Sequence, residues 1–118
     1  MDSGKVFDNS VSYKHSMSES MKLVGSYFTD KEIKNKIVLD AGCRLGYNSC
    51  AFVLKKCRLV IGVDLSKKCI RAASLNFQKC KNMKFYYGDM KKALGEFVRV
   101  VKSGGTILVT FQKEKNFL

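Results

Sequence analysis

The 118-residue chain has no proline, no tryptophan, one histidine, and 10 acidic against 22 basic side chains. Without proline, and with 46% hydrophobic and 27% charged residues, its composition suits neither a fibrous repeat nor a disordered chain. No apolar stretch approaches the roughly 20 residues needed to span a bilayer. The opening Met1-Asp2-Ser3-Gly4-Lys5 has no signal-peptide core, so the expectation is a soluble, cytoplasmic protein that does not engage a membrane. The lone His15 cannot complete a metal shell with Cys43, Cys50, Cys57, Cys69 and Cys80, which contain no C-x-x-C pair. No metal site is expected, and the cysteines read as small buried thiols. The length fits a single domain with a modest core.

The excess of base amounts to a formal charge of +12. Such a balance can serve nucleic acid or an anionic surface, because lysine and arginine displace counterions from phosphates. Here 18 of the basic residues are lysine, scattered from Lys5 to Lys115 with no run longer than two. Scattered lysine reads first as solvated surface. No aromatic stacking motif of the kind single-strand binders use accompanies it, so a basic RNA-binding module ranks last among the readings.

Organisation changes near residue 36. The first 36 residues are serine-rich and carry one helical stripe, Met17, Met21, Val24 and Tyr27 or Phe28, which predicts a helical arm docking on residues 37–118. Ile37-Val38-Leu39 reads as a buried strand running into Asp40-Ala41-Gly42, followed by a helix from about Tyr47 to Lys56 with Asn48 or Ser49 near its start. Leu59 to Val63 repeats the strand and ends at Asp64. Ser66 is a plausible N-cap for a helix with Ile70, Ala73 and Phe77 facing inward. Met83 to Tyr87 is a third strand ending at Gly88-Asp89. Leu94, Phe97, Val98 and Val101 then mark a helix stopped by Gly104-Gly105, before a last strand from Thr106 to Phe111. Strands alternating with helices predict an α/β, Rossmann-like, mostly parallel sheet with helices on both faces.

In an open α/β sheet, ligands bind outside the carboxyl ends of the strands. Asp40, Asp64 and Asp89 occupy that position on three successive strands, and they are half of the six aspartates in an acid-poor chain. Gly42 and Gly46 open and close a G-x-x-x-G turn between strand and helix, where glycine permits positive φ and close approach of backbone N–H groups to a ligand. Asp64 lies 22 residues beyond Gly42, the interval at which a Rossmann-type site sets an acid on ribose hydroxyls. Its carboxylate accepts from both hydroxyls of a diol. No G-K-[ST] is present to grip a triphosphate, and Asp40 and Arg44 fit a dinucleotide turn poorly, which disfavours a nicotinamide oxidoreductase. An acidic rim favours a ligand carrying an ammonium or sulfonium, and S-adenosylmethionine carries both, together with a ribose.

These residues resemble a known family. Val38-Leu39-Asp40-Ala41-Gly42-Cys43-Arg44-Leu45-Gly46 is similar to V-L-D-x-G-C-G-x-G, the first motif of class I S-adenosylmethionine-dependent methyltransferases, of the type 11 kind. Ile61 to Ser66 resembles the second motif, Tyr87-Gly88-Asp89-Met90 the third, and Leu94 to Val109 the stretch before the fifth strand. The opening Lys5-Val6-Phe7-Asp8, with Tyr13, is similar to the N-terminal arm of the small-molecule and quinone branch. The resemblance implies that Asp40 and Gly42 face the methionine end of the cofactor, with Asp40 near its ammonium, and that Gly46 also belongs to the cofactor-binding turn. It implies Asp64 on the ribose, Leu65 on the adenine face, Asp89 on the adenine amino group and the Met90 N–H near the ring. The catalytic group and the methyl acceptor, a small molecule or a nucleic acid, are not implied.

Two departures stand out. Arg44 replaces the middle glycine, where its side chain obstructs close backbone approach or pairs with the cofactor carboxylate. Between Asp89-Met90 and Leu94 the family would have a fourth strand, a loop and a helix, and the C-terminal hairpin is missing as well. A sheet of order 3-2-1-5 in family numbering is then expected, with open edges that invite a homodimer or partner subunit. A methyltransferase is the first reading, and a non-catalytic cofactor-binding or structural subunit the second.

Overall fold

A computed structural model describes residues 11–101 and 107–111. In chain order it contains α1 (Val11–Tyr27), α2 (Asp30–Ile33), β1 (Ile37–Ala41), α3 (Tyr47–Leu54), β2 (Leu59–Asp64), α4 (Lys67–Asn76), β3 (Met83–Tyr87), α5 (Met90–Val101) and β4 (Ile107–Phe111). The strands form a sheet of order β3-β2-β1-β4, parallel throughout. This is the order expected when no strand intervenes between β3 and the last one, and it makes the fold α/β and Rossmann-like.

Strand register explains the two-sided core. Successive side chains leave a strand on opposite faces, so on β1 Val38 joins Val60, Phe52, Phe77 and Met83 on one side, while Ile37 and Leu39 join Ile61, Val63 and Phe97 on the other. The first cluster is covered by α3, α4 and the arm, and the second by α5. Phe52, Phe77 and Phe97 are fully buried, each contributing about 1.5–3 kcal/mol by removal from water.

Helix α1 packs on α3 through Met17 and Val24, with Met21 and Phe28 partly covered. Tyr27 is 72% exposed, so Phe28 is the aromatic that completes the stripe. The short α2 was not foreseen, although Thr29-x-x-Glu32 spells a capping box. The Thr29 N–H donates to Glu32 Oε1 at 2.8 Å and the Glu32 N–H to Thr29 Oγ1 at 3.2 Å.

Helix α3 starts at the predicted residue, with Asn48 and Ser49 near its start as expected. Its N-cap is Gly46, with no side-chain cap, and Ser49 lies inside the helix, its hydroxyl turned to Asp40. Ser66 caps α4 as expected, accepting from the Cys69 N–H at 3.2 Å. On α5 the predicted inward stripe is only partly buried: Phe97 is buried, whereas Leu94 and Val98 are exposed. Cys43, Cys50 and Cys57 are buried free thiols, and Cys69 and Cys80 are half-buried. Burial raises the Cys50 and Cys57 thiols to about 11 and Cys43 further still. Among the described residues no helix is long and apolar enough to cross a membrane. The Gly104-Gly105 stop, Thr106 and the Lys5-to-Asp8 motif lie outside the described residues.

Candidate functional site

The turn after β1 is built by three alternating positions with positive φ: Gly42 at 75°, Arg44 at 51° and Gly46 at 89°. Two of them are glycine, for which this region is free of strain. The third is an arginine held there at a cost of about 1–2 kcal/mol. Hydrogen bonds across the sheet hold the turn down, as the Gly42 and Cys43 N–H groups both donate to Val63 O, at 2.7 and 3.0 Å.

Asp64, at the end of β2, organises this region. Its Oδ2 accepts from the Arg44 N–H at 2.9 Å and its Oδ1 from the Ser66 N–H at 2.8 Å. The carboxylate therefore locks the turn onto the start of α4. A carboxylate offers about four acceptor sites, so lone pairs remain on both oxygens for a ligand. A cavity of about 310 Å³ opens beside it, walled by Gly42, Arg44, Asp64, Leu65, Gly88 and Met90, with Ala41 and Val63 at its base. Leu65 is 74% exposed, an apolar surface held at the mouth.

The predicted site residues thus separate into two groups. Gly42, Asp64, Leu65 and Met90 come together around this cavity. Asp40, Gly46 and Asp89 do not line it. Asp40 is 1% exposed and accepts a 2.6 Å hydrogen bond from Ser49 Oγ. Burial, opposed by that bond and reinforced by nearby Asp64, raises its carboxyl from 3.8 to about 6. Gly46 sits under aromatic rings, where an added Cβ would lie 3.0 Å from Phe85 Cζ and 3.1 Å from Phe77 Cε2. Its role is close packing. Asp89 lines a different cavity of about 440 Å³ on the α5 side of the sheet, with Tyr86, Tyr87 and Arg99.

Sequence reasoning missed a third cavity of about 290 Å³. It lies between α1 and the turn, where His15, Ser16 and Glu19 meet Arg44, Tyr47 and Asn48. Nothing in the local pattern announces it, because it depends on how α1 docks. Arg44 lines both this cavity and the first, so the departure from the glycine pattern stands at the junction of the two.

No protein-family model and no curated protein matches the sequence. Solved structures do. A candidate RNA methyltransferase of Pyrococcus horikoshii matches with a TM-score of 0.52 and 25% identity over 66% of this chain and 39% of its own. The magnesium protoporphyrin IX methyltransferase of Synechocystis, solved with bound S-adenosylmethionine, matches with a TM-score of 0.52 and 25% identity over 62% of this chain and 36% of its own. A phosphoethanolamine N-methyltransferase of Haemonchus contortus, in complex with S-adenosylhomocysteine, matches at 18% identity and a TM-score of 0.54, over 65% of this chain and 16% of its own. At that identity it speaks for the fold alone. The chain thus spans well under half the length of the solved structures it matches. Its parallel α/β fold is that of the class I S-adenosylmethionine-dependent methyltransferase superfamily.

Proposed function

We propose that the 310 Å³ cavity binds S-adenosylmethionine and that the chain is a shortened S-adenosylmethionine-dependent methyltransferase. The observation that carries this reading is Asp64. Its carboxylate is fixed by two backbone N–H groups, keeps lone pairs in reserve, and borders an apolar wall at the carboxyl ends of the strands. That donor set fits the nucleoside half of the cofactor: an acceptor for a diol, with Leu65 and Met90 as apolar contacts for a base. Asp89 stands one residue beyond Gly88 on the neighbouring cavity, so its place is at the rim.

Each residue has a distinct task in this reading. Asp64 orients the ribose, Leu65 excludes water from the base, and Gly42 lets the turn approach without a side chain in the way. Asp40, beneath the floor, supplies negative charge near the methionine end. When bound, the cofactor supplies a sulfonium methyl already activated for transfer, so the protein's contribution is chiefly alignment. The α1 cavity is the place from which an acceptor would reach the turn, with His15 and Glu19 among its polar groups.

The second reading, a cofactor-binding subunit without catalysis, is favoured by Arg44 and by α5 following β3 directly where the resembled family has a further strand. Titration calorimetry with S-adenosylmethionine and S-adenosylhomocysteine tests both. Binding of each, lost in Asp64→Ala but kept in Lys84→Ala, is expected. Binding of neither to the folded wild type refutes the cofactor site. Binding without transfer of labelled methyl to any fraction of a cell extract selects the second reading.

A further inference from the structure

Five of the 18 lysines that look scattered along the sequence, with one arginine, are gathered by the fold at one end of the sheet. Each of the first three strands is entered past a cation and left through an aspartate: Lys36 and Asp40 on β1, Arg58 and Asp64 on β2, Lys81 and Asp89 on β3. Parallel strands place all three entries at one end of the sheet and all three exits at the other. Helices α2 and α3 end on the entry side and add Lys34 and Lys56, and Lys79 lies in the turn before β3. Five of these six cations are exposed and Lys36 is half-buried.

The loops that carry them are fastened to one another. The Arg58 N–H donates to Lys36 O at 2.7 Å, the Asn35 N–H to Lys56 O at 3.0 Å and the Val60 N–H to Asn82 O at 2.8 Å. The Asn82 side chain donates to Arg58 O at 3.4 Å. Adjacent strands lie about 4.8 Å apart, so the row of cations is closely spaced on a fixed support. Among the described residues none of the six is in an ion pair. The pair at this end joins Lys55 to Asp30 at 3.1 Å, and Glu32 is taken up by the capping box. Attraction to helix C-termini accounts for Lys34 and Lys56, but no helix terminus calls for Lys36, Arg58 or Lys81.

We propose that this amino-end face is a docking surface for the phosphodiester backbone of a nucleic-acid duplex. Its chemistry is charge with little stacking surface: none of the six has an exposed aromatic next to it in the chain, Tyr27 at the end of α1 is the exposed ring on this side, and Tyr86 and Tyr87 lie at the opposite end of β3. Phosphates displayed along a duplex are the ligand such a face fits, and contacts of this kind position a protein without reading sequence. The six residues of β2, rising about 3.3 Å each, set this face roughly 20 Å from the Asp64 cavity. The docked duplex is therefore an anchor, separate from whatever occupies that cavity.

The test is fluorescence anisotropy with a labelled RNA duplex of about 20 base pairs across the salt range in which phosphate contacts are lost, together with a calorimetric titration of S-adenosylmethionine. Affinity is expected to fall by about 10²–10³-fold between about 50 and 200 mM salt. The variant Lys36→Gln/Lys56→Gln/Arg58→Gln/Lys81→Gln lowers the salt slope by about three or more, with the cofactor titration unchanged. An Arg58→Gln/Lys81→Gln pair gives an intermediate slope. A control of equal charge change on α1 and α4, Lys22→Gln/Lys67→Gln/Lys68→Gln/Arg71→Gln, moves the slope by less than about one. Equal losses in the variant and its control would reduce the effect to net charge and overturn the proposal. So would absence of binding at low salt, or tighter binding to phosphatidylserine vesicles than to the duplex, lost in the same variant.

Discussion

Replacing Asp40 by asparagine tests the buried end of the site most directly. The carboxyl is enclosed, bonded to Ser49 and raised to about 6, chiefly by burial. A carboxyl whose pKa is higher in the folded than in the unfolded chain gives stability that is present at low pH and lost as the pH rises from about 4 through about 6. At 1.36 kcal/mol per pKa unit, the rise from 3.8 to about 6 costs the folded wild type about 3 kcal/mol at pH 7, and only a small fraction of that at pH 4. Asparagine keeps an oxygen to accept from Ser49 and removes the ionisation. Asp40→Asn should therefore be close to the wild type in stability at pH 4 and exceed it by about 3 kcal/mol at pH 7, visible as a urea midpoint roughly 1–3 M higher. Urea unfolding of both proteins at intervals from pH 4 to 8 measures the gap. A gap that does not change with pH, or an asparagine variant less stable than wild type at pH 7, would mean that the buried carboxylate is held ionised and favourably so, and would refute the reasoning.

Three further substitutions probe the scaffold. Arg44→Gly relieves a left-handed arginine at φ 51° but loosens the unfolded chain, for a net gain of about 0.5–1 kcal/mol. A higher thermal midpoint is expected, and a lower one would show that the side chain itself holds the turn. Gly62→Ala sets a Cβ 2.7 Å from Phe85 Cδ1 and 2.9 Å from Cys43 Sγ, which should cost about 1–3 kcal/mol in denaturant titrations; an unchanged midpoint would mean the Phe85 ring swings aside freely. Phe97→Ala empties a fully buried site and should cost about 3–5 kcal/mol. Amide exchange should accelerate in α5 more than in α3, and equal acceleration in both would contradict the placement of Phe97 in a separate cluster.

Much of the layout was legible because the signals were local. Strand β3 falls on the predicted residues, and β1 and β2 were recognisable as β-branched runs ending in aspartate. Ser66 announced its helix through cap chemistry. What escaped depended on distant partners. Ser49 stands near the start of α3 as expected, but its hydroxyl is claimed by Asp40, nine positions earlier, a pairing that no local pattern announces. Asp40, Asp64 and Asp89 share one sequence pattern, yet Asp40, one residue short of the end of β1, is buried against Ser49 of α3, Asp64, the last residue of β2, reaches the cavity, and Asp89, two residues beyond β3, lines the cavity on the α5 side. Position at a strand end specifies the rim of the sheet and does not specify which way a carboxyl leaves it.

The half-buried stripe on α5 follows from the same economy of chain that joins β3 to α5 with two residues. Leu94, Phe97 and Val98 have the spacing of a helix face meant for a core, and only Phe97 reaches one, between Ile37, Leu39, Ile61 and Val63. A single helix is about 10 Å across with its side chains, while three strands span about 10 Å and a fourth adds nearly 5 Å more. One helix cannot cover that sheet face. The uncovered part is the 440 Å³ cavity over Leu59, Ile61 and Val63, rimmed by Tyr86 and Tyr87. The periodicity of α5 therefore records an amphipathic helix correctly, and the extent of its burial is set by how many elements share the face with it.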